Sequence, residues 1–215
     1  PFGRREVIGV LIEVAQETEV PPDKLRKALQ LLGVTDVIEA ENGQTAVEMA
    51  RLHTPDLAIL DLDIPRINGL DVISRLKLTS PQIRILVLSG HDQATFAPRA
   101  LRVGAQGYVC KSQEMRAIMR GVEAVLAGYT VFPVMSESAD KGVANDEDRL
   151  ARLSDKELAI LQMLAKGMSN KAIGDALFIS NKTVSSHKTR IMQKVKVNSL
   201  VDLVDFARRC RIAPA

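Results

Sequence analysis

Residues 169–195, SNKAIGDALFISNKTVSSHKTRIMQKV, decide the fold of the C-terminal part of this chain. Ser169 and Ser180 each stand before a stretch with helical spacing. Serine is a preferred residue at the start of a helix because its hydroxyl accepts a hydrogen bond from the backbone. The sequence therefore predicts two short helices joined by a tight turn, the second ending near Val195.

The second of these helices has an apolar side and a polar side. Each residue advances about 100° around a helix axis, so Val184, Ile191 and Val195 fall on one face. The opposite face carries small hydroxyls flanked by cations, which suits contacts with base edges between phosphate anchors in a DNA major groove. An ordinary amphipathic surface helix is the alternative, and amphipathicity alone favours that alternative.

We predict DNA contacts from this polar face and from the starts of both helices, where free backbone N–H groups attract phosphate. Lys188 lies beside the apolar face, so we expect its ammonium to reach a phosphate rather than a base. The predicted DNA-binding set is Ser169, Asn170, Lys171, Asn181, Lys182, Thr183, Ser185, Ser186, Lys188, Thr189, Arg190, Gln193 and Lys194. The members expected to face the groove are Lys182, Ser185, Ser186, Thr189 and Gln193.

The flanking sequence extends this pair of helices into a small all-α domain of four helices over residues 151–215. Ser154 and Glu157 have the spacing of a capping box, in which each residue hydrogen-bonds the backbone of the other, so a helix is predicted to start there. A last helix is predicted from about 199 to 209. Its expected inward stripe consists of Leu200, Leu203, Val204 and Ala207.

Charge is distributed unevenly along the chain. Residues 151–215 contain 12 Lys and Arg against 5 Asp and Glu, a net charge of +7. Residues 1–150 contain 17 against 21, a net charge of −4. A small basic domain beside a mildly acidic one fits nucleic-acid binding at the C-terminal end, although a solvated basic surface would give the same balance.

The composition also bears on location. No apolar run approaches the 18 or so residues that span a bilayer, and the start of the chain lacks the apolar core of a signal peptide. Cys110 and Cys210 lie far apart with no metal-ligand spacing. We therefore expect a reduced, cytoplasmic protein with no membrane partner.

Residues 1–128 alternate between strand-like and helix-like segments, and several apolar runs are continuous, as in strands buried on both faces. The predicted strands are 7–12, 36–40, 57–60, 83–89 and 107–110, and the predicted helices are 22–32, 43–52, 69–78, 96–103 and 114–126. This alternation predicts an α/β domain with a doubly wound, five-stranded parallel sheet. Residues 129–150 are polar and acidic, which predicts a flexible linker.

Polar residues follow three of the predicted strands. Asp61 comes directly after the third, Ser89 ends the fourth and Lys111 follows the fifth. The carboxyl ends of parallel strands are where open α/β sheets place their chemistry. A carboxylate, a hydroxyl and an ammonium suit a phosphoryl group, which the carboxylate attacks while the other two hold its oxygens.

Residues 153–197, LSDKELAILQMLAKGMSNKAIGDALFISNKTVSSHKTRIMQKVKV, closely resemble the LuxR-type helix-turn-helix. The resemblance implies sequence-specific binding of double-stranded promoter DNA through the third helix of the domain. It also implies that the fourth helix pairs two such domains. His187 matches a position that is largely structural in that family, so we assign it no catalytic role.

Residues 5–128 look like a two-component receiver domain with a flavodoxin-like fold, and the whole chain resembles a response regulator of the NarL/FixJ class. The resemblance implies that Asp61 is the phosphoacceptor and Lys111 the lysine of the pocket. It implies that Ser89 is the switch hydroxyl and Tyr108 the aromatic switch. It further implies a homodimer and a sensor histidine kinase as partner.

One departure from the receiver pattern concerns the metal. Receivers of this family usually end the first strand with two adjacent acids that hold Mg²⁺. Here Glu13 follows the apolar run, but Val14 and Ala15 cannot supply a second ligand. We therefore predict a weak Mg²⁺ site of Asp61 and Glu13, and an atypical receiver in which phosphorylation of Asp61 is slow or absent.

Three alternatives stay open at this point. Glu17 or Glu19 could turn into the pocket, which would restore a conventional, phosphorylation-activated regulator. Asp63 could tune access to the pocket or be a solvated loop acid. Asp61-Leu-Asp63 also resembles the start of haloacid-dehalogenase phosphatases, but Pro65 stands where that motif has Thr or Val, and at least two strands precede it. We therefore expect no enzyme.

Overall fold

The computed structural model describes residues 8–12, 20–34, 36–62, 69–133, 146–210 and 212. The chain falls into two compact units, Pro1–Val134 and Met135–Ala215. Within the described residues, no helix is both long enough and apolar enough to cross a membrane.

The first unit contains a five-stranded parallel sheet. Its strands are β1 (Ile8–Ile12), β2 (Asp36–Ala40), β3 (Leu57–Leu60), β4 (Arg84–Ser89) and β5 (Gly107–Cys110). Its helices are α1 (Pro22–Leu31), α2 (Gly43–His53), α3 (Gly69–Thr79), α4 (Gln93–Arg102) and α5 (Met115–Leu126). The order across the sheet is β2-β1-β3-β4-β5, which confirms the predicted fold class.

The core of this unit forms around the two strands that the sequence marks as continuous apolar runs. Every residue of β3 is buried, and all of β4 except Arg84 is buried. Leu25 and Leu29 of α1 and Ile118 and Val122 of α5 belong to the same apolar cluster as Ile59 and Leu86. Burying a Leu or Ile side chain contributes roughly 1.5–3 kcal/mol, so this packing holds the end of β3 in a fixed place.

The second unit contains five helices within its described residues. They are α6 (Asp146–Ala151), α7 (Asp155–Ala165), α8 (Asn170–Leu177), α9 (Asn181–Val195) and α10 (Leu200–Arg209). Their fully buried side chains include Ile160, Leu161, Ile173, Val184, Ile191, Val195, Leu203 and Phe206. The predicted pair of helices joined by a tight turn is α8 and α9.

The prediction of a flexible linker over residues 129–150 is wrong at both ends. The Val131 backbone N–H donates to the Gln106 carbonyl at 2.9 Å, and its carbonyl accepts from Tyr108 at 2.7 Å, beside β5. At the other end lies α6, whose Leu150 is buried. Sequence reasoning missed α6 because its apolar residues stand at the end of an acidic run. Residues 134–145 lie outside the described residues.

The predicted inward stripe of the last helix is right in two of its four positions. Leu203 and Ala207 are buried in α10, but Leu200 is 45% exposed and Val204 is half-buried. The reason is Phe206, which is fully buried and which the prediction omitted. Because the Phe206 ring is buried, the buried face of α10 lies on the side that carries Phe206. Leu200 and Val204 lie at the edge of this face.

Candidate functional site

In the first unit, the site forms where β3, β4 and β5 end. Asp61 follows the central strand β3 and is 5% exposed. The Lys111 ammonium, which follows β5, forms an ion pair with Asp61 Oδ2. The Lys111 backbone N–H donates to the Ser89 carbonyl at 3.0 Å, which ties the end of β5 to the end of β4. The three residues predicted to meet therefore follow neighbouring strands at one edge of the sheet.

Gly69, the first residue of α3, explains how closely this helix approaches the site. A Cβ atom at this position would lie 2.6 Å from Leu62 Cα and 3.0 Å from the Asp61 carbonyl oxygen. Neither backbone atom can move aside cheaply, so a side chain does not fit. The start of α3 is thereby held near Asp61, where the helix dipole favours negative charge.

The loop after β4 connects Ser89 to Tyr108 through His91. The His91 backbone N–H donates to Ser89 Oγ at 3.1 Å, and its carbonyl accepts from the Tyr108 hydroxyl at 3.1 Å. The His91 ring stacks on Phe96 of α4, with centroids 4.7 Å apart. Sequence reasoning missed His91 and Phe96, although His91 stands only two residues beyond a predicted site residue.

Tyr108 itself lies inside the unit, with 3% of its surface exposed. Burial raises the pKa of the Tyr108 hydroxyl well above its ordinary value, and its contact with Ser89 opposes this only partly. The phenol is therefore protonated around neutral pH and donates its hydrogen bond to the His91 carbonyl. Both switch residues that the sequence predicted thus belong to one hydrogen-bonded group around the His91 backbone.

Of the two residues predicted to hold Mg²⁺, only Asp61 lies within the described residues. Glu13 and Asp63 lie outside the described residues, while Ile12 pairs with Leu60, so the end of β1 runs beside the strand that carries Asp61. Within the part of the chain that the structure describes, no group of three or more His, Cys, Asp or Glu residues is placed to hold a metal ion. Of the two predicted Mg²⁺ ligands, Asp61 is the one that is described, and its carboxylate is paired with Lys111.

In the second unit, three serines start the helices as their spacing predicts. Ser154 Oγ accepts from the Glu157 N–H at 3.3 Å and Glu157 Oε2 accepts from the Ser154 N–H at 2.8 Å, a complete capping box. Ser169 Oγ accepts from Ala172 and Ser180 Oγ from Thr183, at 3.1 and 3.0 Å. Each cap contributes roughly 1 kcal/mol to its helix, so the serines fix where α8 and α9 begin.

Lys194, which the sequence predicts as a DNA contact, forms an ion pair with Glu157 in the structure. Its ammonium lies 2.5 Å from Glu157 Oε2, and the Glu157 side chain is 5% exposed. Burial disfavours the charged Glu157, but hydrogen bonds from Lys194 and Ser154 outweigh it and hold the pKa of this carboxyl below its usual range. The cause of this contact is the packing of the end of α9 against α7, and the DNA contact of Lys194 stays a prediction.

His187 also belongs to the packing of α9. Burial lowers the pKa of its imidazole, with further lowering by the charges of Lys156 and Arg190. Its Nδ1 atom is buried and makes no hydrogen bond within the described residues. A neutral, half-buried imidazole suits the structural assignment that the sequence gives to His187.

The two faces of α9 are as the helical periodicity predicts. Val184, Ile191 and Val195 are fully buried against the other helices. The exposed residues are Asn181, Lys182, Ser185, Ser186, Thr189, Arg190 and Gln193, and Thr183 and Lys188 are half-buried. The start of α8 lies near this face, because Asn170 Nδ2 donates to Ser185 Oγ at 3.2 Å. The result is an exposed polar strip of hydroxyls and cations on a rigid apolar base.

Two family comparisons cover most of the chain. Residues 12–123 match the family described as the response regulator receiver domain. Residues 151–207 match the bacterial regulatory proteins of the luxR family. The two matches coincide with the two units that contain the Asp61 site and the exposed face of α9.

Relatives match both units together. A protein of Pseudomonas aeruginosa named as a transcriptional regulator is 47% identical over 191 residues, 86% of this chain and 92% of the relative. BvgA of Bordetella pertussis, named as a positive transcription regulator of virulence factors, is 42% identical over 196 residues, 88% and 94% of the two chains. The RcsB response regulator of Salmonella typhimurium shares the fold at a TM-score of 0.72, with 22% identity over 96% of this chain and 100% of that chain.

Proposed function

The chain belongs to the bacterial two-component response regulators with a LuxR-type DNA-binding domain, and on that premise we propose that it regulates transcription by binding promoter DNA through α9. Transcription regulation is the shared role of this family, and the family is not one of enzymes. The phosphatase alternative is therefore set aside. A regulator of this kind acts where the chromosome lies, so we also propose a cytoplasmic location.

The exposed face of α9 is the observation that carries this proposal. Ser185 and Ser186 lie side by side on it and Thr189 lies about one turn later, with Lys182 and Arg190 also exposed. Hydroxyls supply base-edge contacts, while Lys and Arg anchor phosphates. The buried residues of α9 fix the helix to α7 and α8, so that this face is held rigid for a groove.

The proposal is tested by fluorescence anisotropy with the full chain. DNA fragments enriched from a random library are compared with scrambled versions at a fixed salt concentration. We expect the enriched fragments to bind at least tenfold more tightly, since specific and non-specific binding typically differ by about 10³ or more in such proteins. Equal affinity for enriched and scrambled DNA would overturn the proposal.

We further propose that the receiver unit is atypical and that Asp61 is phosphorylated weakly. The sequence after β1 offers Glu13 without an adjacent acid, and Mg²⁺ usually takes one or two carboxylates from a protein. Asp61 is also neutralised by Lys111. On this proposal, Asp61 and Glu13 would hold the ion weakly, and the ion would neutralise an incoming phosphoryl group. The conventional version, in which a sensor histidine kinase phosphorylates Asp61, is the alternative.

A further inference from the structure

The three hydroxyls on the exposed face of α9 differ in how their hydrogen bonds are used. Ser185 Oγ accepts a hydrogen bond from Asn170 Nδ2 at 3.2 Å. The amide NH₂ of Asn can only donate, so the serine oxygen acts as the acceptor in this contact. The Ser185 hydroxyl therefore keeps its proton and one lone pair for a ligand that binds this face.

Ser186 and Thr189 show the reverse arrangement. Ser186 Oγ donates to the Lys182 carbonyl at 3.1 Å, and Thr189 Oγ1 donates to the Ser185 carbonyl at 3.2 Å. A hydroxyl has one proton and two lone pairs. In both residues the proton is used within the helix, and only lone pairs are left for a ligand.

We propose that these contacts set the hydrogen-bond polarity of the DNA-reading face before DNA arrives, with Ser185 still able to donate and Ser186 and Thr189 able only to accept. Asn170, at the start of α8, is then a positioning residue that determines specificity through Ser185. This inference rests on the proposed function, because it assigns the chemistry of the bases that α9 reads.

The ability of each hydroxyl to donate or accept a hydrogen bond restricts the bases that it can contact. In the major groove, guanine, adenine and thymine present acceptors, whereas cytosine presents only an amino donor. Ser185, which keeps its proton, can therefore donate to guanine or thymine at the position it contacts. Ser186 and Thr189 as acceptors need an amino group, which adenine and cytosine have and guanine and thymine lack. One hydroxyl contact of this kind corresponds to about a two- to tenfold preference.

Asn170→Asp tests the assignment because a carboxylate can only accept. Ser185 must then donate to residue 170, and its lone pairs turn toward the DNA. Asn181→Asp is the matched control: Asn170 and Asn181 are each the first residue of a helix, directly after a serine cap. Both variants add one negative charge at a helix start, where a carboxylate is well tolerated.

The experiment is selection from a random DNA library with the full chain, followed by sequencing. Ser185→Ala identifies the position that Ser185 reads, because its preference is lost there. At that position, wild type and Asn181→Asp should accept guanine or thymine, because the Ser185 proton is available to them. Asn170→Asp should instead select cytosine or adenine and disfavour guanine and thymine by about two- to tenfold relative to wild type. Ser186→Ala should relax a different position, one at which wild type takes adenine or cytosine.

The outcomes separate this inference from the proposed function. If wild type enriches no sequence, the proposed function fails. If wild type enriches a sequence and Asn170→Asp keeps its base preference at the Ser185 position, the polarity assignment is overturned. A loss of affinity in both Asp variants, with the loss of guanine and thymine confined to Asn170→Asp, supports the inference.

Discussion

Glu157 joins the start of α7 to the end of α9. Its carboxylate accepts the Ser154 N–H and the Lys194 ammonium, so a residue predicted only as a helix cap also connects two helices. The cap could be predicted because its two members are three residues apart. The contact with Lys194 joins residues 37 positions apart in the sequence, and no local sequence pattern predicts it.

The lowered pKa of Glu157 makes the second unit sensitive to acid. Since the folded pKa is depressed, the stabilisation is present above the unfolded value of about 4.3 and is lost as pH falls through the folded pKa. Lys194→Met should destabilise the unit by about 1–3 kcal/mol at neutral pH, because the buried carboxylate loses a partner. It should also reduce the loss of stability on acidification. Hydrogen exchange of α9 amides between pH 3.5 and 7 measures both.

Lys196→Met is the control for that measurement. Lys196 is exposed, and it follows α9 by one residue. We expect the exchange rates of this variant and their pH dependence to match wild type. Equal behaviour of the Lys194 and Lys196 variants would contradict the role given to the Glu157–Lys194 pair.

At the scale of elements, the sequence predicts most of what the structure contains and fails for identifiable reasons. Continuous apolar runs mark β3 and β4, and serine caps mark the starts of α7, α8 and α9. By contrast, α6 is not predicted because it is short and contains few apolar residues. The inward face of α10 was misjudged because packing around Phe206, rather than the spacing of Leu residues, sets its rotation.

The misjudged face of α10 has a consequence for assembly. Val201 is 69% exposed and Leu200 45% exposed, next to the half-buried Val204. We expect this apolar face to pair two DNA-binding units, as the family resemblance implies. Val201→Asp should weaken dimerisation on DNA at least tenfold, because it places a charge in an apolar contact. Analytical ultracentrifugation with DNA of one and two half-sites measures the effect.

The folding of that variant is checked by far-UV circular dichroism, and Asp202→Ala, at a neighbouring exposed position, is the control. We expect Val201→Asp to bind a single half-site like wild type and to lose cooperative binding to two. Unchanged cooperative binding by Val201→Asp would contradict the proposed role of α10 in pairing the two DNA-binding units.

For the whole molecule, the question is how strongly phosphorylation of Asp61 controls DNA binding by α9. The pocket residues that could be predicted are Asp61, Ser89, Tyr108 and Lys111, of which Asp61 and Lys111 follow strands, Ser89 ends β4 and Tyr108 lies within β5. The connecting role of His91 could not be predicted because it runs through backbone atoms. The expected outcome with Mg²⁺ and a small phosphodonor is well under one acyl phosphate per chain, and Asp61→Asn should bind DNA within about twofold of wild type.

Acid-labile phosphate at Asp61 and DNA affinity are measured on the same samples. Asp56→Asn serves as the control for labelling, since Asp56 precedes β3 rather than following it. Stoichiometric labelling of Asp61 together with a large gain in DNA affinity would contradict the atypical receiver and favour the conventional, kinase-driven version.

The central claim, that α9 is the DNA-reading element, is tested most directly by the salt dependence of DNA binding. Arg190 is exposed on α9, and Arg116 is exposed on α5 of the other unit. Each phosphate contact contributes about 0.9 to the slope of log affinity against log salt. We predict that Arg190→Ala reduces the slope by about one and weakens binding to all sequences, while Arg116→Ala leaves both unchanged. An unchanged slope in Arg190→Ala would contradict the claim.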